Sequence, residues 1–212
     1  MSDFEEVRGK RVLLKFEGRR CIHSRQCVLG RPDVFVPNVQ GEWIHPDHAT
    51  PEEIAALAQN CPSGAIMYER LDGGPSEAAP IVNVVRVREN GPLAIHAELE
   101  IDGEAPRFRA TLCRCGASKT KPYCDASHVA AGFQATGEPA TQESEALVQR
   151  SGRLKVTPYK NGPLGVEGNL EICTGTGRTI NRLKKTALCR CGQSSKKPYC
   201  DGTHNKIGFT TD

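Results

Sequence analysis

The chain has 212 residues, of which 38% are apolar and 5% aromatic, and its net charge is +3 from 28 basic and 25 acidic side chains. Near-balanced charge argues against a nucleic-acid or membrane-surface partner, no run approaches the roughly 18 apolar residues of a membrane span, and the start MSDFEEVRGKRVLLKF lacks the apolar segment of a secretory signal. A cytoplasmic protein with a lean core is expected, and its ten cysteines then point to metal or redox sites rather than to disulfides.

In chain order, the first signal is Cys21, Ser24 and Cys27. It has the spacing of the bacterial ferredoxin run C-x2-C-x2-C with serine in the middle place. Trp43 is expected in the core, and His45 and His48, which flank Pro46-Asp47, in a loop. Thr50-Pro51-Glu52-Glu53 predicts a helix start, with Thr50 as N-cap and Glu53 completing a capping box. Ile54, Leu57 and Ala58 fall on its buried face. Cys61-Pro62 supplies a distant Cys-Pro, and Gly64–Tyr68 reads as a strand.

Residues 10–70 resemble a divergent single-cluster ferredoxin domain, of the type often fused to the family named below. The resemblance implies an iron–sulfur cluster on Cys21, Cys27 and Cys61. With three cysteines a [3Fe–4S] cluster fits best. A [4Fe–4S] cluster needs Ser24, His23 or solvent on its fourth iron. A degenerate domain whose cysteines merely pack is the other reading.

Beyond the polar, turn-rich stretch 72–80, the chain repeats itself. Asn90-Gly91-Pro92-Leu93 recurs as Asn161-Gly162-Pro163-Leu164, and Leu99-Glu100-Ile101 as Leu170-Glu171-Ile172, both at an offset of 71. Leu112-Cys113-Arg114-Cys115-Gly116 recurs as Leu188-Cys189-Arg190-Cys191-Gly192 at an offset of 76, which places five extra residues around Cys173–Arg178. Strands are predicted at 81–87, 93–101 and 108–112 and at their counterparts, with single helical turns at 128–131 and 204–207. A second linker runs over 137–146. Two copies of a small unit read as a fused dimer about a pseudo-two-fold axis. The expected fold is α+β, mostly β. A ferredoxin-like domain (1–75) precedes two β-rich units (76–140 and 141–212) packed as a monomeric internal pseudo-dimer.

Each copy carries C-x-C-x8-C-x3-H: Cys113, Cys115, Cys124 and His128, then Cys189, Cys191, Cys200 and His204. Residues two apart on an extended strand point the same way, and a cysteine and histidine four apart share a face of a helical turn. Asp125 and Asp201 can N-cap that turn. On spacing alone these are metal sites of either kind, structural zinc or iron–sulfur. Arg114, Lys119, Lys121, Arg190, Lys196 and Lys197 lie within the motifs. They can raise a cluster potential, dock an acidic partner, or simply be solvated surface charge. Cys173, without a counterpart in the first copy, is expected to be a free thiol, and His96 to lie on the surface.

The full string resembles the CDGSH iron–sulfur domain (mitoNEET-like) family, whose motif is C-x-C-x2-[ST]-x3-P-x-C-D-G-[SAT]-H. The second copy matches throughout, and the first departs once, with Ala126 in the glycine place. Over residues 80–212 the resemblance implies a β-rich fold and one [2Fe–2S] cluster per copy on Cys3His ligands. Electron transfer is the leading expectation, with a reductase or acceptor protein as redox partner. Cluster donation to an apo acceptor, a redox or pH sensor, and a zinc-stapled interaction module are the rivals. No dedicated enzymatic site is expected.

Overall fold

The computed structural model describes residues 4–211, which divide into two compact units, 4–78 and 79–211. Among them no helix is long and apolar enough to cross a membrane. The fold is α+β and mostly β.

In the first unit, β1 (Glu5–Arg8), β2 (Val12–Phe16) and β3 (Ile66–Arg70) form an antiparallel sheet in the order β1-β2-β3. Helix α1 (Gln26–Gly30) is a short turn after the Cys21 loop, and α2 (Pro51–Gln59) starts where its sequence says it should. Thr50 Oγ1 accepts from the Glu53 amide at 3.3 Å, and Glu53 Oε2 accepts from the Thr50 amide at 2.8 Å. Its Ile54, Leu57 and Ala58 are buried against Val12, Leu14, Phe35 and Ile66. Trp43 sits at the rim of this core, edge-on to Phe16 and Phe35, with its indole N–H donating to Glu5. His45 and His48 stack on each other at 5.1 Å.

The second unit carries β4 (Val84–Val87), β5 (Leu93–Ile101) and β6 (Arg107–Leu112). Their repeats are β7 (Arg153–Pro158), β8 (Leu164–Cys173) and β9 (Thr179–Leu188). Each copy is an antiparallel meander, and the copies exchange strand partners. β4 runs parallel to β8 with Val84↔Glu171 and Val85↔Ile172, while β7 runs parallel to β5 with Lys155↔Glu100 and Val156↔Ile101. The two registers are related by the same offset of 71 that relates the sequences. The interface is therefore isologous, as in a two-fold dimer. β4, β5, β7 and β8 close into a ring, with β6 and β9 on its flanks.

Strict alternation on β5 buries Leu93, Ile95, Ala97, Leu99 and Ile101. These join Leu154, Val156, Leu164, Val166, Leu170 and Ile172 in one core shared by both copies. Each buried aliphatic contributes about 1.5–3 kcal/mol, so neither copy retains this stabilisation alone.

The structure adds to or shifts four of these expectations. The strand expected from 81 starts at Val84: the Asn83 carbonyl still accepts from the Glu171 amide, but its own amide donates to Arg150 O and its side chain to the Gly152 and Asn169 carbonyls of the second copy. The five extra residues lengthen the β8–β9 hairpin, leaving a tip at 174–178, so Cys173 ends a strand and is buried. The linker over 137–146 is strapped to that hairpin by Gly175 N–H to Gly137 O, Gln142 N–H to Ile180 O and Arg182 N–H to Ser144 Oγ. His96 is half-buried rather than superficial. Burial, then Arg109 and Arg86, hold its pKa below the usual value.

Candidate metal centres

β6 and β9 each end at the leucine before the C-x-C. The chain then loops back and re-pairs with the strand end. The Cys113 amide donates to Pro122 O at 2.8 Å and the Cys124 amide to Thr111 O at 3.0 Å, with Cys189–Pro198 and Cys200–Ala187 as the matching pairs. Both prolines follow cis peptide bonds. This ladder sets Cys113 across from Pro122 and Cys124 across from Thr111, so the first and third cysteines stand diagonally at one strand end.

The remaining motif positions serve the same loop. Ser118 and Ser194 are buried and donate at 2.6 Å to the Tyr123 and Tyr199 carbonyls. Asp125 accepts from the Lys119 and Ser127 amides, and Asp201 from Ser195 and Thr203. The aspartate thus ties the loop to the short helices α3 (Ser127–Ala130) and α4 (Thr203–Lys206). It acts one residue before the N-cap, which is Ala126 or Gly202. Burial opposes ionisation of Asp125, but these donors outweigh it and hold its pKa at about 2. For Asp201 the Thr203 hydroxyl leads the same downward shift.

The donors form two pairs. Cys113 Sγ lies 3.7 Å from Cys115 Sγ, and Cys124 Sγ 3.4 Å from His128 Nδ1. In the second copy the distances are 3.8 Å and 3.3 Å. Backbone amides point at sulfur, Ala117 to Cys115, Ala126 to Cys124 and Gly202 to Cys200, each at 3.4 Å. Burial pushes the Cys124 thiol up to about 11, and burial also raises Cys189. Thiols crowded in this way ionise together only around a cation. Soft sulfur donors with one imidazole suit iron–sulfur or zinc.

Arg114 and Arg190 are not solvated surface charges, as the sequence had allowed. Both are buried. Arg114 donates to the carbonyls of Gly91, Arg88, Thr136 and Ala135, and Arg190 to those of Gly162 and Tyr159. Each guanidinium lies over the phenyl ring that ends its copy, Phe133 or Phe209. Burial draws Arg114 down to about 10. The Asn-Gly-Pro-Leu repeat is thus the turn on which each site is mounted. Sequence reasoning missed this role, although the arginine stands in a pentapeptide identical in both copies, whereas Lys119 meets Ser195 and Lys196 meets Thr120.

In the first unit Cys21, Cys27 and Cys61 line one cavity of about 680 Å³, together with His23, Ser24 and Trp43. Left-handed backbone at His23 (φ 53°) and Arg25 (φ 62°) coils the loop around it. Burial raises the Cys21 and Cys27 thiols, and both sense Cys61. His45, His48 and Cys173 lie in neither kind of site.

Residues 90–129 and 161–205 match the family model described as "Iron-binding zinc finger CDGSH type". The chain belongs to the CDGSH iron–sulfur domain family. Residues 7–71 match a second model, "Divergent 4Fe-4S mono-cluster", so two CDGSH units follow a divergent iron–sulfur domain. CDGSH iron-sulfur domain-containing protein 1 of Rattus norvegicus is 28% identical over 91 residues, 43% of this chain and 74% of that protein. Uncharacterized protein YjdI of Escherichia coli (strain K12) is 33% identical over 61 residues, 28% of this chain and 78% of that protein.

The two CDGSH units differ at one strained position. Ala126 adopts φ 67° where Gly202 has φ 84°. A left-handed non-glycine residue costs about 1–2 kcal/mol, against about 0.5–1 kcal/mol for the greater unfolded freedom of glycine. Ala126→Gly should therefore stabilise the chain by about 0.5–1 kcal/mol. Gly202→Ala, with open space around its added methyl, should cost as much. Thermal melting checks both, and equal melting temperatures for all three proteins would show that the turn carries no strain.

Proposed function

We propose that this iron–sulfur protein is an electron carrier holding one [2Fe–2S] cluster in each CDGSH unit and a third cluster in its N-terminal domain. The observation that carries the reading is the pairing of donors. A two-iron cluster takes two protein ligands per iron, and each site offers Cys–Cys and Cys–His pairs instead of a single group closing on one point among the described residues. When bound, the cluster supplies a one-electron couple. Around it the chain's own residues orient the ligands, exclude water on the strand side and aim amide dipoles at sulfur, which favours reduction.

In the N-terminal domain three thiols facing one cavity suit a [3Fe–4S] cluster. The matched family description favours a four-iron cluster, with Ser24, His23 or solvent on the fourth iron. With Arg114 and Arg190 buried, Lys119, Lys121, Lys196 and Lys197 remain as the basic rim on which an acidic reductase or acceptor would dock. A cytoplasmic setting and a non-enzymatic role belong to the same reading.

The test is anaerobic purification of the full chain with iron, sulfide and zinc quantified. Two irons and two sulfides per CDGSH unit are expected, and zinc without sulfide would end the reading. EPR of the oxidised protein separates the N-terminal options, because oxidised [3Fe–4S] is paramagnetic and the other clusters are silent. Reversible reduction without iron loss supports a carrier, whereas transfer to an apo acceptor supports a donor.

Replacing the histidines tests the ligand set. His128→Cys and His204→Cys should each retain a cluster and lower its potential, by on the order of 100 mV, because a thiolate adds negative charge where imidazole adds none. Protons compete with metal for imidazole as pH falls, so each variant should also bleach more slowly in mild acid. Potentiometry and absorbance decay against pH read the two effects. Unchanged values would remove the histidines from the ligand set.

A further inference from the structure

Beyond α2 the chain enters a tight turn over Cys61, Pro62, Ser63 and Gly64. The Cys61 amide donates to Ala58 O at 3.0 Å, and the Gly64 amide to Cys61 O at 3.2 Å. Proline suits the second place of such a turn, and Gly64 follows with φ 69°. Ala65 is fully buried, and its carbonyl accepts from the Glu17 amide at 2.8 Å, which pins the turn to the residue after β2. Ser63 is only 3% exposed within this turn and lines the same cavity as Cys21, Cys27 and Cys61.

A buried hydroxyl needs partners, and it brings one donor and two acceptor sites. Ser63 Oγ accepts from the Ala65 amide at 3.3 Å. Its other contact is Cys61 Sγ at 3.6 Å, a hydrogen-bond length for an atom as large as sulfur. Among the described residues these are its two partners. While Cys61 is a thiol, either atom can donate. A cysteine that holds metal is a thiolate and has no proton to give. The direction is then fixed, with the Ser63 hydroxyl donating and the sulfur accepting. In the CDGSH units Cys115, Cys124 and Cys200 face backbone amides, which no side-chain substitution removes. At Cys61 the donor is a side chain, so one substitution deletes it.

We propose that Ser63 tunes the N-terminal cluster: its hydroxyl holds the Cys61 thiolate in the cavity and raises the reduction potential of the iron it ligates. The inference rests on the reading of this domain as a cluster site. A hydrogen bond to ligand sulfur disperses its negative charge and favours the reduced, more negative cluster. Ser63 acts as a positioning residue and not as a ligand, because its oxygen is held by the Ala65 amide and its proton by Cys61. That separates it from Ser24, which is a candidate for the fourth iron.

The experiment uses the full chain, loaded anaerobically, with Ser63→Ala and Ser63→Thr beside the unsubstituted protein. The N-terminal cluster is followed by EPR during a potentiometric titration, and the two CDGSH clusters of the same molecule serve as the internal reference. Ser63→Ala should lose about tenfold in the reduction equilibrium of the N-terminal cluster, which is about 59 mV for one electron. Ser63→Thr keeps the hydroxyl and should stay close to the unsubstituted protein, and the CDGSH potentials should not move. An unmoved N-terminal potential overturns the inference even if the melting temperature falls, because the serine then does no more than cap the Ala65 amide. A threonine variant that shifts like alanine overturns it too, and so does an equal shift in all clusters. A changed cluster type in Ser63→Ala would make Ser63 a ligand and overturn it as well. If Ser63→Ala releases the cluster, the unsubstituted chain is read instead. Its N-terminal EPR signal must then show a coupled proton that exchanges in deuterium oxide, and the absence of one overturns the inference. Failure of the cluster reading is separable. A first unit that holds no iron fails that reading, and this inference with it, before any potential is measured, whereas a loaded cluster with an unmoved potential fails the role of Ser63 alone.

Discussion

A single methyl at Gly192 should empty both CDGSH sites. Gly192 has φ +82° and its added Cβ would lie 2.5 Å from the backbone oxygen of Cys115, a candidate ligand of the other copy. Neither partner can move without moving a cysteine. The left-handed conformation costs about 1–2 kcal/mol, and forcing atoms into a packed contact about 1–3 kcal/mol more. Gly192→Ala should therefore lose about 2–5 kcal/mol and bleach the first cluster along with the second. Gly116→Ala should do the same through Cys191 O, at 2.7 Å. Gly202→Ala is the control, since it shares the positive φ but meets nothing within 4 Å. Visible absorbance per chain and melting temperature are the measurements. If Gly192→Ala behaves like Gly202→Ala, the turns do not meet as described.

Separating the repeats should have an effect at least as large. A fragment spanning 79–140 keeps β4, β5 and β6 but loses β8 beside β4 and β7 beside β5. It also uncovers Val85, Leu99 and Ile101, whose burial depends on the shared core. At about 1.5–3 kcal/mol per buried aliphatic side chain, the loss exceeds the few kcal/mol by which small domains are stable. The monomeric fragment should be unfolded. At high concentration it should form a homodimer, because the reciprocal register lets a second copy supply the missing strands. Sedimentation and circular dichroism over a concentration series read both outcomes. A folded monomer would contradict the exchanged pairing.

Much of this was legible in the sequence because its signals are local or doubled. The capping box at Thr50 and Glu53 needs four residues and elementary geometry. The limits of β5 follow from alternation. The donor sets announce themselves by appearing twice, and the doubled motif carried the family assignment. What stayed hidden depends on partners distant in the chain. Nothing in the segment Ile81–Asn83 says that Asn83 will turn aside to the second copy. The chemistry of an arginine favours solvent, and only the carbonyl cradle from Arg88 to Gly91 and the ring of Phe133 bring Arg114 inside. The hold on the linker over 137–146 stayed hidden for the same reason. Its polar composition is that of a linker, but the lengthened β8–β9 hairpin lies alongside to hold it.

That strapped connection has a thermodynamic meaning. Two separate chains sharing these strands would assemble according to their concentration and come apart on dilution. Joined through 137–146, they meet at an effective concentration fixed by the tether, so the paired arrangement persists however scarce the protein is. Fusion also lifts a constraint of symmetry. A homodimer must use one sequence at both sites, whereas here Ala126 stands opposite Gly202 and Arg88 opposite Tyr159. One half can change while the other keeps its form, and the two centres of a single molecule are free to become unequal.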